Sequence, residues 1–333
     1  MKHRIYLFIF YSFFLLPLYG QDPHLSQYFS SPLTINPALT ANMEPSFRVS
    51  LVHRQQWWQS NFPFTTSVLG GELRLLSNQL QEGNKLGIGL VLENDESLGG
   101  AYKTNKASFS AAYHQSIDEN RYQTLGLGIQ LSTSNKIINF NSLGFENQFN
   151  GSQIDLTLNS GESFFSNSRN YLDVNAGIVY SFDDGEKSFY LGGAIQNILQ
   201  PNISFFADSS SRINMRKIIN GGANFYPNSN SSSRLLLSFL LMEQSKSTEM
   251  NLGVALGLET KAGYVYFGLF SRFGDAIYPY VSFQSNSIQV GFSYDFTTSQ
   301  LKYSRKSISS GELSVSYVLH NRAQEKRNMP WNF

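Results

Sequence analysis

Five histidines, His3, His24, His53, His114 and His320, are the side chains best suited to metal ligation or proton transfer. Their spacing serves neither task. No H-E-x-x-H pair occurs, and the chain has no Cys to supply a thiolate ligand or a disulfide. Glu93-Asn94-Asp95-Glu96 gathers enough oxygen to attract a hard cation, or forms a solvated loop. A hydrolase would need His114 or His53 as a base beside a nucleophile, and neither a G-x-S-x-G elbow nor a P-loop is present. Gly87/Gly89 and Gly126/Gly128 stand inside alternating stretches, not at a turn that could cradle phosphate. The charged residues point to ion pairing instead. Arg48, Arg54, Glu72, Arg74, Asp173, Glu249 or Glu259, and Asp295 fall where an interior would hold them, and buried charges need partners. No catalytic, cofactor-binding or metal-binding residue is expected.

The elements that position these residues are strands. In Leu125-Gly126-Leu127-Gly128-Ile129-Gln130-Leu131-Ser132 every odd position is apolar and every even one is Gly or polar. The same pattern returns at Met250 to Leu258, Ile288 to Phe296 and Leu313 to Leu319. A period of two sends successive side chains to opposite faces of a pleated strand. Repeated along the chain without a long apolar run, it predicts an all-β, transmembrane antiparallel barrel in an outer membrane. Charged residues are only 15% and the net charge is +1, which argues against nucleic acid. Aromatics reach 14%, as interfacial girdles require.

Lys2 to Arg4, the apolar Ile5 to Leu18 and the small Gly20 resemble a secretory signal peptide cleaved near Gly20-Gln21. The expected organisation is a signal peptide at 1–20, an N-terminal arm or plug at 21–45, a barrel at 46–320 and a tail at 321–333. About fourteen strands are expected: Phe47 to Gln55, Thr65 to Leu76, Lys85 to Glu93, Thr104 to Gln115, Gln123 to Ser134 and Tyr171 to Ser181. The second half adds Phe189 to Ile198, Lys217 to Phe225, Arg234 to Met242, Glu249 to Leu258, Tyr264 to Arg272, Ile277 to Gln284, Ser287 to Phe296 and Gly311 to His320. Long polar connections are expected at Asn94 to Lys103, Lys136 to Asn170, Gln200 to Arg216 and Phe296 to Ser310. All follow odd-numbered strands, which assigns that end to the cell exterior.

Several motifs, read in order, resemble one family. Gln21-Asp22-Pro23-His24-Leu25-Ser26-Gln27-Tyr28, then Pro32-Leu33 and Asn36-Pro37-Ala38, is similar to the opening of the PorP/SprF family of type IX secretion system outer-membrane proteins. His53-Arg54-Gln55-Gln56-Trp57 resembles its aromatic-Arg-x-Gln-Trp signature, with His in place of the usual Tyr. Tyr190 to Pro201 resembles its glycine strand, ending at Gln196-Asn197-Ile198-Leu199-Gln200-Pro201. Arg272-Phe273-Gly274-Asp275-Ala276 and Gly291-Phe292-Ser293-Tyr294-Asp295 resemble its C-terminal stretches, and Gly311-Glu312-Leu313 matches its last strand loosely. The Asn321 to Phe333 tail lacks the Cys-Pro pair of many relatives, and the long Lys136 to Asn170 connection is outside the motifs.

The resemblance implies a non-enzymatic barrel of Bacteroidota. It would support export or surface anchoring of a large secreted adhesin-type protein with a type IX sorting domain, in some members during gliding motility. Other members link to further type IX secretion components. The alternative is an outer-membrane pore or hydrophobic-substrate channel. The residues Asp22, Pro23, Gln27, Tyr28, Asn36, Pro37, Arg54, Gln56, Trp57, Asn197, Arg272, Gly274, Asp275, Tyr294 and Asp295 are expected to serve structure, Arg272 pairing with Asp275 across a turn. Candidate partner-binding residues are the loop aromatics Phe140, Phe145, Phe149, Phe164, Phe165, Phe205 and Phe206, because a few buried rings dominate interface energy. Folding back as a lid over the barrel mouth, or settling into lipopolysaccharide, is the other use of those rings. Outer-membrane lipid is the remaining expected partner, meeting Leu127, Ile129, Val254, Leu256, Val290 and Phe292. Gln130, Asn251, Gly253, Gln289 and Ser293 should face inward.

Overall fold

The computed structural model describes residues 24–60, 62–77, 79–161, 166–205, 211–225, 233–299 and 309–319. Fourteen strands follow one another around a closed barrel, each antiparallel to its sequence neighbours, and β14 pairs with β1 to complete the ring. They are β1 Phe47–Gln56, β2 Phe64–Leu75, β3 Lys85–Ser97, β4 Tyr102–Ser116, β5 Gln123–Ile138, β6 Ser168–Asp183 and β7 Lys187–Gln196. The ring continues with β8 Arg216–Phe225, β9 Ser233–Gln244, β10 Ser247–Thr260, β11 Gly263–Arg272, β12 Ala276–Gln284, β13 Ile288–Thr297 and β14 Ser309–Leu319. Closure leaves no unpaired edge, which a sheet in hydrocarbon cannot tolerate. No described helix is long and apolar enough to cross a membrane.

The expected facing holds. Leu127, Ile129, Val254, Leu256, Val290 and Phe292 are all exposed on the outer wall, Leu127 at 60%. Gln130, Asn251 and Ser293 are buried inside, Ser293 fully. We expect Leu127→Arg, near mid-membrane, to destabilise the barrel by about 2–4 kcal/mol. Gln289→Arg on the inner face should cost far less. Denaturant titration in lipid or detergent checks this, and equal costs would contradict the assigned faces.

Aromatic pairs mark both rims. Phe182 stacks on Phe189 with ring centroids 5.2 Å apart and meets Tyr122 edge-on at the end of the short turns. At the other end Trp57 packs against Phe64 and Trp58 against Tyr294, as interfacial residues do. The long connections at 139–167, 197–215 and 298–308 all leave this second end, which makes it the outer one.

The expected connection at Asn94 to Lys103 is corrected. β3 and β4 run on through it and pair up to Ser97↔Tyr102, leaving only Leu98 to Ala101 as the turn. The polar run keeps the strand period: Asp95 faces inward and accepts from Thr66 Oγ1 at 2.6 Å, while Glu96 pairs with Lys103 at 3.0 Å. This carboxylate group is therefore split between two faces and two partners. Among the described residues no group of His, Asp or Glu could hold a metal ion. β7 ends at Gln196 because Asn197 adopts a left-handed φ of 57°.

Candidate functional site

The lumen of the barrel is occupied by the chain's own N-terminal arm. Residues 24–45 carry no strand period, and Pro32 and Pro37 each open a single 3-10 turn, at Pro32–Thr34 and Pro37–Leu39, after a first turn at Tyr28–Ser30. Such short turns leave backbone groups without internal partners, and burial makes those groups costly. Inward side chains of the wall satisfy them. Gln196 Nε2 donates to the carbonyls of Thr34 and Ile35, at 2.8 and 3.1 Å, and Gln130 Nε2 to that of Leu33 at 3.1 Å. The Ala41 amide donates to Glu72 Oε2 at 2.6 Å, and Glu72 is itself held by Arg48 Nε at 2.7 Å.

Glycines make room for this segment. On β5, a Cβ at Gly128 would run into the backbone of Pro37 and Ala38; on β6, one at Gly177 would run into Asn36 Oδ1. Asn36 uses that space to cap the Pro37–Leu39 turn, accepting from the Ala38 amide at 2.9 Å, and its Nδ2 donates to Asn220 Oδ1 at 3.2 Å. On the far wall Phe29 stacks on Phe270 and meets Tyr280 edge-on, each at 5.2 Å between centroids. The arm thus spans the lumen from wall to wall.

Its outer end is held by charge. Two guanidiniums, Arg54 of β1 and Arg272 of β11, face three carboxylates, Glu249 of β10, Asp295 of β13 and Glu312 of β14. Arg54 lies 2.9 Å from Asp295 and 3.2 Å from Glu312; Arg272 lies 3.4 Å from Asp295 and 3.6 Å from Glu249. The arm inserts into this group. Both Glu312 oxygens accept from successive backbone amides, of Ser26 and Gln27, each at 2.7 Å. The Ser26 hydroxyl donates to Asp295 and accepts from Arg272 Nη2 at 2.8 Å and from Arg54. Gln27 Nε2 donates to the Glu312 carbonyl and to Ser293, and its Oε1 accepts from Ser314 at 2.6 Å. Arg54, Arg272, Asp295 and Glu312 are each at most 2% exposed. Four strands, β1, β11, β13 and β14, converge on two arm residues, with Glu249 of β10 behind Arg272, an arrangement suited to holding a plug.

A family model described as type IX secretion system membrane protein PorP/SprF matches residues 18–317. The chain belongs to the PorP/SprF family. Its outer-membrane barrel therefore serves type IX secretion. Among curated proteins none matches the chain. Solved structures similar to it in fold include a Pseudomonas aeruginosa FadL homologue, with a TM-score of 0.46 and 10% identity over 86% of this chain and 93% of that one. The P. putida toluene transporter TodX has a TM-score of 0.48 and 7% identity over 86% and 93%. BamA from Haemophilus ducreyi lacking POTRA domains 1–3 has 0.43 and 11% over 82% and 70%. These likenesses concern the barrel alone.

The residues that the sequence offered as a family signature divide between the arm and the rest of the wall. Gln27, Arg54, Arg272 and Asp295 meet at the charged group, and Tyr28 reaches Ser238 Oγ at 2.9 Å. Arg272 also pairs with Asp275 at 2.8 Å across the β11–β12 turn, where Gly274 takes a φ of 78°. Asn36 and Pro37 sit on the glycine-lined wall. Gln56 and Trp57 end β1, where the Trp57 amide donates to Ser309 O at 2.8 Å; Tyr294 and Asn197 also lie off the charged group. Asp22 and Pro23 lie outside the described residues. The interior charge pairs differ in detail from expectation: Arg74 bonds the Glu44 carbonyl at 2.9 Å, Asp173 accepts from the Leu199 amide, and Glu259 is exposed at the inner mouth.

Sequence reasoning missed Ser26 and Glu312 as members of the site. Glu312 occupies an inward position of an alternating strand, the one signal that could have found it. The inward glycines were a second signal, since wall glycines without a turn mark close approach of another segment.

The candidate loop aromatics divide. Phe140 and Phe205, from different connections, meet edge-on with centroids 6.2 Å apart, and Phe205 also meets Tyr102 at 6.4 Å. This pair ties the β5–β6 and β7–β8 connections together. Phe145 is half-buried, whereas Phe149 is exposed beside Ile154, which it faces across an isolated bridge. Leu156 and Leu158 are exposed on the same connection. Just before them Asp155 accepts from the amide and hydroxyl of Thr157, and these bonds hold its carboxyl below the usual range. Phe164, Phe165 and Phe206 lie outside the described residues.

Proposed function

We propose that this barrel is a plugged outer-membrane accessory of type IX secretion that supports export or surface anchoring of a large secreted adhesin-type protein, in gliding motility among other uses. Its signal peptide is removed near Gly20, and its cargo engages the outer loops rather than passing through the lumen. The observation that carries this reading is the arm itself. A segment hydrogen-bonded to four strands at its outer end stands across the lumen, and the outer face is what we take to be left for a partner. The β5–β6 connection supports it further, because Phe149, Ile154, Leu156 and Leu158 are apolar, exposed and at the cell exterior. The same filled lumen weighs against a hydrophobic-substrate channel.

The experiment replaces Phe149, Ile154, Leu156 and Leu158 by Ser while keeping the Phe140–Phe205 pair. The barrel should stay folded and heat-resistant on gels. Truncating anchors at an interface costs about 2 kcal/mol or more each, so the cognate surface protein should appear in the medium or fail to be displayed. Cargo that stays surface-bound and co-purifies at wild-type levels would remove the outer-loop contact from the account.

A further inference from the structure

One row of side chains on the outer wall breaks the pattern of a lipid-facing surface. His53, Ser67, Asn94, Asn105, Asn135 and Asn170 face outward on β1 to β6 and stand directly opposite one another in register, each paired with the next. His53 Nδ1 meets Ser67 Oγ at 2.9 Å, Asn94 Nδ2 donates to Asn105 Oδ1 at 2.9 Å, and Asn135 donates to Asn170. An amide offers two donors and two acceptor lone pairs, so each keeps capacity beyond these bonds.

The next row toward the membrane centre is Leu51, Leu69, Leu92, Ala107, Thr133 and Leu172. Ala107 and Thr133 are the small members, and a hollow of about 440 Å³ opens over them against Leu51, Leu69 and Leu92. That lies in the size range of small-ligand sites, roughly 300–1,000 Å³. The outer rim on the adjoining wall, from β13 to the end of β1, carries aromatics, Trp58, Tyr294 and Phe296, as the interface of a barrel ordinarily does. On the outward face from β3 to β6 that belt is replaced by amides above and a notch below. The row itself contains no carboxylate, lysine or arginine; Glu93 and Lys106 line the hollow with opposite charges, and the nearby Lys103 pairs with Glu96.

We propose that this notch binds one glycolipid of the outer leaflet, an acyl chain filling the hollow over Ala107 and Thr133 and its sugar hydroxyls bonding the asparagine row. The wall faces lipid, so the occupant is amphipathic. Neutral amides arranged as a ladder of donors and acceptors suit saccharide hydroxyls, whereas a phosphodiester headgroup would call for cations. The site is independent of the lumen and of the cargo reading above.

The test uses the full-length protein in nanodiscs containing lipopolysaccharide and phosphatidylethanolamine, followed by native mass spectrometry at rising collision energy. One lipopolysaccharide should remain on each barrel after other lipids have left. Ala107→Leu with Thr133→Leu fills the hollow, and Asn105→Ala with Asn135→Ala removes the middle of the row. Each double variant should lower the retained glycolipid at least about tenfold, with heat resistance on gels unchanged. Should one variant fail to fold, the other still decides the question. Equal retention in a folded variant, retention of phosphatidylethanolamine instead, or a protein subunit seated on this wall would each overturn the proposal.

Discussion

Deleting residues 24–45 is expected to convert a barrel with no stable conductance into an open pore of constant, large conductance in planar bilayers. Fourteen strands enclose a lumen wide enough that side chains alone do not fill it, and wider barrels leave an aqueous channel. Here the filling comes from the arm, whose Tyr28, Phe29, Leu33, Asn36 and Ala38 are all buried among inward side chains. Removing it also exposes Glu312, Asp295 and Arg272 to water, so the new pore should respond to salt. The barrel should persist, because the strand pairing does not involve the arm. A full-length protein that already conducts as well as the deleted form would show that the arm does not close the lumen.

Arg272→Ala should be the most destabilising single substitution in the charged group. It leaves Glu249 and Asp295 without one of their cations and removes a donor to Ser26. Breaking a buried ion pair by deleting one partner costs about 3–5 kcal/mol, because the other charge stays buried. Arg272→Lys should recover only part of this, since one ammonium cannot reach Ser26, Glu249 and Asp295 in the fork geometry. Lys217→Ala is the control: its contact with Glu243 is 3.9 Å long and exposed, and such pairs contribute at most about 1 kcal/mol. The urea midpoint of gel-monitored unfolding measures all three. If Arg272→Ala shifts it no more than Lys217→Ala, the charged group does not hold the structure together.

The strands were legible in the sequence because the barrel wall has two solvents, lipid outside and a packed interior inside, and alternation records both. Leu125 to Ser132 needs no other information. The pattern weakened where strands rise above the membrane: Asn94 to Ser97 alternates between a lumen partner for Asp95 and an ion pair for Glu96, and both faces are polar. That is why β3 and β4 are longer than expected. The arm left a different trace, since Pro32 and Pro37 excluded a strand without saying where the segment goes. Its place was written in Gly128 and Gly177, whose meaning depends on which residue lies across the lumen. Glu312 was invisible as a partner for the same reason. Its ligands, the amides of Ser26 and Gln27, are at the opposite end of the chain, and backbone amides carry no sequence signature. The Phe140–Phe205 contact joins two connections, and no one-dimensional pattern pairs them.

In the proposed reading the barrel works with its arm in place. The chain has no cysteine, so Thr40→Cys with Ser110→Cys introduces one defined pair where the two hydroxyls now stand 2.9 Å apart. The direct measurement is surface display of the cognate secreted protein by cells carrying this double variant, oxidised and reduced. We expect the disulfide to form in the folded barrel and display to continue at the level of the reduced form. Failure of the cysteines to pair would contradict the position of the arm, and loss of display on pairing, restored by reduction, would mean that the arm must leave the lumen for cargo to pass.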